Sequence, residues 1–294
     1  MMQTLWKDLR YGARMLFKKP GFTVIAVITL ALSIGANTAI FSLTNALVLR
    51  PFDFHDLDRL VEIFETEQQG GGLNGVAPAN FADLRRQQTG FSDLIAFRQS
   101  NSNLTGAGDP ERVQNYAVSA GFFRMLGAEA TLGRTFLPEE EQAGRGQVAV
   151  LGYGLWQRRF GADPKIVGAT ISLDGQAYTV IGVMPKSFDF PKPVELWTPL
   201  ALGNEAWNER REQSLAVVAR LKAGVELEQA NAEVGTLAQR LAGQYPQTNA
   251  GRGMTLRLLS RSINGEYNGV FLSLLMAAVG FVLLIACVNI ANMQ

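Results

Sequence analysis

Residues 214–245 have the sequence "SLAVVARLKAGVELEQANAEVGTLAQRLAGQY", in which a strand-like segment is followed by a helix-like one. The short apolar run at 214–221 predicts a buried strand, and the "KAGV" that follows predicts a turn. Across 226–245, apolar residues recur every three or four positions, which predicts a helix with a single apolar stripe. A strand expected at 254–260 completes a βαβ unit. The stripe consists of Leu227, Ala230, Val234, Leu237, Leu241 and Tyr245.

A similar unit is expected between residues 59 and 100. Residues 59–66 and 94–100 contain the alternating or apolar runs that are typical of strands. The helix expected at 78–88 has Pro78 at its first position, where the missing N–H is not needed. Two split βαβ units of this kind predict an α+β sandwich with the helices on one sheet face.

The residues between the two units, 101–200, are rich in short strand-like runs that are separated by Gly, Asp and Pro. Such runs predict strands joined by tight turns. Short helices are expected around 120–127 and 152–161. We therefore expect a second, mostly β subdomain that is inserted into the first. Its expected strands are 113–119, 147–152, 170–175 and 177–185.

An apolar run precedes this region, because residues 22–49 contain no charged side chain over 28 positions. About 20 helical residues are enough to cross the hydrocarbon core of a bilayer. A secretory signal has a shorter apolar region and a small-residue cleavage site, which "NALVLRP" does not provide. A soluble core helix rarely continues this far without a charge. The run therefore favours a transmembrane helix.

The charges that flank this run set its expected orientation. Residues 1–21 contain five basic side chains and one acid, whereas residues 50–58 contain one basic side chain and three acids. The positive-inside rule places the N-terminus in the cytoplasm and the following region outside. The leader predicts an amphipathic helix on the inner membrane surface, with a flexible basic tail as the alternative. Its candidate membrane-interface residues are Trp6, Lys7, Arg10, Arg14, Lys18 and Lys19.

A second uncharged run, residues 269–294, predicts a second span that returns to the cytoplasm. No basic residues follow it, so we expect the sequence to be the N-terminal part of a longer protein. The single cysteine, Cys287, lies in this run, and no disulfide framework is expected between the spans.

The first apolar run also contains residues that a plain membrane anchor does not need. Ala31, Gly35 and Ala39 lie four residues apart and predict a helix face that a second helix can approach closely. Amides are costly in lipid unless they find partners, so Asn37 is expected to hydrogen-bond across a helix interface, with Asn45 as a further candidate. These features predict a helix bundle or a dimer.

The sequence offers little for catalysis. Its single histidine, His55, follows the first apolar run, and a zinc site or a Ser-His-Asp triad would have to use it. No lysine follows a glycine, so the sequence contains no Walker A loop. The glutamates of 138–142 are expected to lie in a solvated loop. We expect no catalytic residue, cofactor or metal, and the net charge of +1 does not indicate a nucleic-acid partner.

Several stretches, which together cover nearly the whole chain, resemble the permeases of MacB/FtsX-type ABC transporters. The resemblance is strongest to the duplicated orphan permeases of that superfamily. "IGANTAIFS" (34–42) and "LWQRRFG" (155–161) are the most specific motifs. The matching stretches are residues 9–52, 118–141, 148–185, 195–200, 220–251 and 283–293.

The resemblance implies a permease subunit of the inner membrane, in which ATP-driven closure of a dimer is transmitted through long helices to an external domain. It implies a cytoplasmic ABC ATPase subunit, membrane lipid and a second permease half, in a homodimer or pseudo-dimer, as partners. The apolar runs and their flanks predict a cytoplasmic interfacial helix at 1–20, a first transmembrane helix at 21–49 and a second transmembrane helix at 267–294. For the periplasmic core between them, at 50–266, the resemblance implies porter-like parts at 50–100 and 201–266 and an inserted β-rich subdomain at 101–200.

Two other hypotheses stay open at this point. A transmembrane sensory receptor also has two spans that flank an external ligand-binding domain. A membrane-tethered external enzyme is a weaker hypothesis, because the chain has a single histidine.

Overall fold

The computed structural model describes residues 54, 56–67, 71–106 and 108–264, together with isolated positions between 20 and 38 and between 273 and 288. The chain divides into two compact units, residues 52–262 and residues 1–51 with 263–294. In the latter unit, the isolated positions are helical. Most of both expected transmembrane helices lies outside the described residues. Among the residues that are described, no helix has the length and apolar character that a bilayer crossing requires.

Residues 57–264 contain strands, helices and short 3-10 turns. The strands are β1 (Leu60–Glu67), β2 (Leu73–Asn74), β3 (Phe91–Thr105), β4 (Glu111–Val118), β5 (Leu132–Gly133), β6 (Val148–Leu151), β7 (Thr170–Leu173), β8 (Gln176–Val183), β9 (Leu196–Pro199), β10 (Ala216–Leu221) and β11 (Arg252–Leu258). The α-helices are α1 (Pro78–Gln87), α2 (Phe122–Leu126), α3 (Tyr153–Phe160), α4 (Asn204–Trp207), α5 (Leu227–Gln244), α6 (Pro246–Asn249) and α7 (Leu259–Asn264).

The described strands form one mixed sheet in the order β11-β1-β10-β3-β4-β9-β6-β8-β5, with β2 beside β1 and β7 beside β3 and β8. In its first four strands, every neighbouring pair is antiparallel. Strands β1 and β3, which flank α1, are therefore parallel to each other with β10 between them. Strands β10 and β11, which flank α5, are likewise separated by β1. This interleaving is the split βαβ arrangement of ferredoxin-like sheets, and it confirms the α+β expectation for the core.

Helices α1 and α5 cover one face of these four strands. Pro78 begins α1, as expected, and the predicted stripe of α5 faces the sheet. Glu226 precedes α5 without capping it by its side chain, and Glu228 lies in the first turn, where a carboxylate suits the helix dipole. The core between the layers is mainly aliphatic, and its fully buried members include Val61, Ile63, Val217, Ala219, Ala230 and Leu241.

The other half of the sheet is built differently. Strand β4 pairs with β9, and β6 pairs with β8, in parallel, while short antiparallel contacts join the remaining strands. Strand β5 approaches β8 so closely that a Cβ added to Gly182 would overlap the carbonyl oxygen of Arg134. Helix α3 covers this half through Leu155, and the half also contains buried aromatic rings around Trp197.

The expected elements differ from the observed ones mainly at their ends. Strand β3 covers 91–105 rather than 94–100, because its second half pairs with β4 without a break from Phe97 to Leu104. The expected boundary at residues 100 and 101 therefore falls within a continuous strand. Strand β11 ends at Leu258, and residues 259–260 begin α7 instead of extending the strand.

Candidate binding cleft in the core

The main cleft of the described core, with a volume of about 860 Å³, lies where the two halves of the sheet meet. One wall comes from the end of α1 and the start of β3, with Arg85 and Leu94. The opposite wall is the loop from 127 to 141, which carries Phe136 and Leu137. Charged and polar side chains make up about half of the lining, with apolar residues between them, and a cleft of this size is a candidate binding site.

Ion pairs join the walls of this cleft. Arg85 Nη1 lies 3.2 Å from Glu141 Oε1, so α1 is connected to the 127–141 loop. Arg124 Nη2 of α2 lies 3.2 Å from Asp93 Oδ1 of β3. Both arginines are more than half exposed, and exposed pairs of this kind contribute little to stability. The pairs therefore connect the two walls but add little to the stability of this arrangement.

One wall is fixed more firmly by Glu140, which is buried. Arg134 donates to both of its carboxylate oxygens, at 2.7 and 3.0 Å, and Leu137 N donates to Oε2 at 2.8 Å. Burial acts to raise the pKa of Glu140, but these hydrogen bonds outweigh it, so the pKa lies below its usual value. The expectation of a solvated loop at 138–142 is wrong at this residue, because Glu140 turns inward to meet Arg134.

The floor of the cleft is a backbone corner at the end of β4. Ser119 exchanges hydrogen bonds with Ala96, accepting at Oγ from Ala96 N at 3.0 Å and donating from its own N at 2.9 Å. Ala120 N points to Glu141 Oε2 at 3.4 Å. This geometry can hold a partner or ligand by shape and charge, and it offers no nucleophile paired with a base.

The segment that leads into β1 contacts both halves of the core. The ring of Phe54 packs edge-on against Phe190, with centroids 5.2 Å apart. Arg220 of β10 lies 3.7 Å from the Asp56 carboxylate and donates to Met125 O of α2 at 2.6 Å. Arg220 is thus a buried junction that connects the segment before β1 with β10 and α2.

Sequence reasoning missed Arg220. A charged residue inside the apolar strand "AVVARL" is the signal that could have revealed it, because a buried guanidinium requires partners. The three partners, Asp56, Met125 and Asp93 on neighbouring elements, are far away in sequence. Local pattern therefore did not show where they would lie.

The residues expected to contact membrane or helices lie mostly outside the described part of the chain. Ala31 and Gly35 are described as helical and exposed, and the structure does not test the packing that we expect for them. His55 and Cys287 are not described. Among the described residues, no group of three or more His, Cys, Asp or Glu side chains could hold a metal ion. Outside the described part lie Trp6, Lys7, Arg10, Arg14, Lys18, Lys19, Asn37, Ala39 and Asn45.

Known proteins resemble this chain in sequence. The model of the family described as MacB-like periplasmic core domain matches residues 23–237. The macrolide export ATP-binding/permease protein MacB of Burkholderia thailandensis is 27% identical over 144 residues, which are 48% of this chain and 20% of that protein. The chain therefore matches about a fifth of the length of this relative.

Two solved structures share the fold. A domain named as that of a permease protein from Porphyromonas gingivalis superposes with a TM-score of 0.54 at 16% identity, over 70% of this chain and 92% of that one. The periplasmic region of MacB from Actinobacillus actinomycetemcomitans gives a TM-score of 0.50 at 16% identity, over 70% and 90% of the two chains.

Proposed function

Because this chain belongs to the MacB-like periplasmic core domain family, we propose that it is part of a permease subunit in a mechanotransmitting ABC system. In this proposal, residues 50–266 are the external domain of that subunit. ATP hydrolysis by a cytoplasmic partner changes the arrangement of the transmembrane helices, and the external domain passes the change to a substrate or to an envelope protein. The single observation that carries the proposal is the family match over residues 23–237.

The proposal assigns nucleotide hydrolysis to a partner. The name of the Burkholderia relative joins ATP-binding and permease parts in one protein, whereas this sequence contains no Gly-Lys pair and hence no Walker A loop. We therefore propose an ABC ATPase subunit, separate or fused, on the cytoplasmic side. A second permease half completes a homodimer or pseudo-dimer, and the Ala31, Gly35 and Ala39 stripe supports close packing of helices.

The proposed location is the inner membrane, with residues 1–20 on its cytoplasmic surface and residues 50–266 in the periplasm. The charge difference across the first apolar run supports this orientation. We propose that the split βαβ half of the sheet is the porter-like part, at 50–100 and 201–266, and that 101–200 is the insertion.

The segment at 54–59 supports the mechanical role. It follows the first apolar run and contacts the porter-like strand β10 through Arg59, whose Nε donates to Leu221 O at 3.1 Å. Phe54 contacts the rings of Phe188 and Phe190 in the inserted half. A displacement of this segment would therefore act on both halves at once.

Affinity purification of the native protein from membranes tests the proposal. We expect an ABC ATPase with a Walker A motif to co-purify, or to be fused to the same chain, and ATP hydrolysis by the complex to fall when the Walker lysine is replaced. A histidine kinase or another signalling protein in place of the ATPase would favour the sensory-receptor hypothesis and contradict the proposal. Hydrolase or transferase activity of the ATPase-free core would favour a tethered enzyme.

A further inference from the structure

A smaller groove, of about 310 Å³, lies on the helix-covered face of the sheet, where β3, β4 and β9 run side by side. Side chains alternate between the two faces along a strand, so the even-numbered residues of β3 share this face. Ala96 belongs to the aliphatic core under α1 and α5, and Leu104 belongs to the core under α3. Between these two residues the face carries Arg98, Ser100 and Ser102, which line the groove. The groove is therefore the gap between two helical layers.

The floor of the groove is polar and buried. Ser102, Asn115 and Thr198 are each less than a tenth exposed, and they come from three neighbouring strands. Asn115 Nδ2 donates to Ser102 Oγ at 3.3 Å, and Asn115 Oδ1 accepts from Thr198 Oγ1 at 3.3 Å. An amide can make about four hydrogen bonds. The described residues provide two for Asn115, both long, so its amide retains capacity for further hydrogen bonds.

Arg98 supplies a positive charge at this floor. Its side chain is half-buried and lines the groove. The arginines that line the main cleft each pair with a carboxylate, but no described side chain forms an ion pair or a hydrogen bond with Arg98. A guanidinium presents a planar fork of donors that matches a carboxylate. An unpaired, half-buried arginine beside hydroxyl and amide groups is a suitable anion site.

The opposite wall of the groove contains a carboxylate, which limits the negative charge that a bound ligand can carry. Asp174 is held there by Asn103, whose backbone N and Nδ2 both donate to Asp174 Oδ1, at 2.9 and 3.0 Å. Burial and then the nearby Asp174 raise the pKa of Tyr178, so its phenol stays protonated and can donate. A second anionic group would meet Asp174, whereas a hydroxyl, an amide or an ammonium group would be accepted.

We propose that this groove binds a small polar molecule with one carboxylate, which lies on Arg98, and with hydroxyl or amide groups that meet Ser102, Asn115 and Thr198. The groove volume of about 310 Å³ is the volume that about ten water molecules occupy in the liquid. This size fits a sugar acid or the carboxyl end of a short peptide. The site stands on the groove alone and does not depend on coupling to an ATPase.

Binding to the full chain in detergent micelles tests this site, with isothermal titration calorimetry as the measurement. The probes are gluconate and its neutral counterpart sorbitol, and N-acetyl-alanyl-alanine and its C-terminal amide. We expect at least one carboxylate to bind about tenfold or more tightly than its neutral counterpart, because charge-assisted hydrogen bonds to the guanidinium are strong. Gluconate binding alone identifies a free hydroxy acid as the ligand class, and peptide binding alone identifies a peptide carboxyl end.

Matched variants separate the site from general effects on the fold. Arg98→Gln should weaken carboxylate binding about tenfold or more, while Arg112→Gln should leave it unchanged. Arg112 is an exposed arginine on β4 whose partner in the sheet, Asn103, lies on the opposite face from Ser102. Thr198→Val keeps the shape and removes one hydroxyl, so it should weaken binding a few-fold.

Three results would overturn the proposal: carboxylates that bind no better than their neutral counterparts, equal losses in both arginine variants, and no binding of any probe. Circular dichroism and the melting temperature of each variant are the control for the fold: a loss of binding in Arg98→Gln is assigned to the groove when both match the wild type.

Discussion

The two halves of the core sheet are built from different kinds of contact. In the β11-β1-β10-β3 half, long antiparallel strands and the helices α1 and α5 enclose an aliphatic core, and the residues that form each βαβ unit lie close in sequence. In the β4-β9-β6-β8-β5 half, strands pair partly in parallel, α3 covers a second aliphatic core around Leu155, and a cluster of aromatic rings packs around Trp197. The elements of the first half can be predicted from the local sequence pattern, whereas the second half depends on contacts between residues that are distant in sequence.

One strand belongs to both halves. Strand β3 pairs with β10 through residues 91–97 and with β4 through residues 97–104. Because the same backbone completes both ladders, the difference in construction does not imply two independently stable domains. We therefore predict one cooperative core, in which the second half contains a cluster of aromatic rings besides its aliphatic packing.

The largest effect is expected for Trp197→Ala, in the aromatic interior. Trp197 is fully buried, lies 5.4 Å and 5.6 Å between centroids from Phe123 and Phe188, and donates to Phe190 O. Truncating a buried tryptophan costs about 3–5 kcal/mol of unfolding free energy. Chemical denaturation followed by fluorescence and circular dichroism measures this loss.

Leu241→Ala makes the matched change in the aliphatic interior, at a cost of about 2–5 kcal/mol. Both variants should unfold in one transition, and hydrogen exchange should accelerate in both halves. If either variant instead shows two separate transitions, with exchange raised in only one half, then the shared strand does not couple the halves.

The next largest effect is expected for Glu65→Ala, beneath α1. Glu65 is 1% exposed and accepts hydrogen bonds from Ala77 N, Asn80 Nδ2 and Gln213 Nε2, with Arg252 3.6 Å away. Removing the carboxylate leaves these buried donors unpaired, which costs about 3 kcal/mol. Glu67→Ala, at the exposed end of the same strand, should change stability by less than about 0.5 kcal/mol. Equal melting temperatures for the two variants would disprove this role of Glu65.

A smaller effect is expected for Gly182→Ala, in the second half. The added methyl would overlap the Arg134 carbonyl oxygen and push β5 away from β8, with a cost of about 2 kcal/mol. Gly154→Ala is the control, because its Cβ meets no atom within 4 Å and alanine suits a helix better than glycine, by about 0.5–1 kcal/mol. We expect thermal melting to show opposite shifts, and a neutral Gly182→Ala would contradict the tight pairing.

A pH-dependent effect is expected at Glu140. Its pKa in the folded core lies below the usual 4.5, so the ionised carboxylate stabilises the fold above that pH. The contribution, about 1–2 kcal/mol from charge-assisted hydrogen bonds, is lost as the pH falls below 4.5 through the pKa of the folded state. The difference in unfolding free energy between wild type and Glu140→Gln should therefore shrink in acid. A difference that stays constant from pH 7 to pH 3 would argue against this assignment.

The smallest effect is expected across the main cleft. Arg85 is 53% exposed and Glu141 is 12% exposed, so a double-mutant cycle with Arg85→Gln and Glu141→Gln should give a coupling of about 0.5 kcal/mol. Urea denaturation of the four proteins measures it. A coupling above about 2 kcal/mol would mean that the pair locks the cleft, contrary to the geometry.

The two halves of the sheet also differ in how much of their structure could be predicted from the sequence. The stripe of α5 was predictable because Ala230, Val234, Leu237 and Leu241 repeat at the helical period, and all of them are buried against the sheet. The parallel pairing of β4 with β9 was not predictable, because it joins Asn115 to Leu196 across a long insertion that no local pattern records. The polar groove has the same origin in part, since Thr198 reaches Ser102 and Asn115 of the β3-β4 hairpin from a strand that is distant in sequence.

The most direct test of the account is the side of the membrane on which the core lies. With Cys287 replaced, single cysteines at Lys7 and at Ser187, which is exposed in the core, are labelled in intact cells with a membrane-impermeant thiol reagent. The account predicts that the cysteine at 187 is labelled, and that the cysteine at 7 reacts only after the cells are broken. Labelling at 7 with protection at 187 would contradict it.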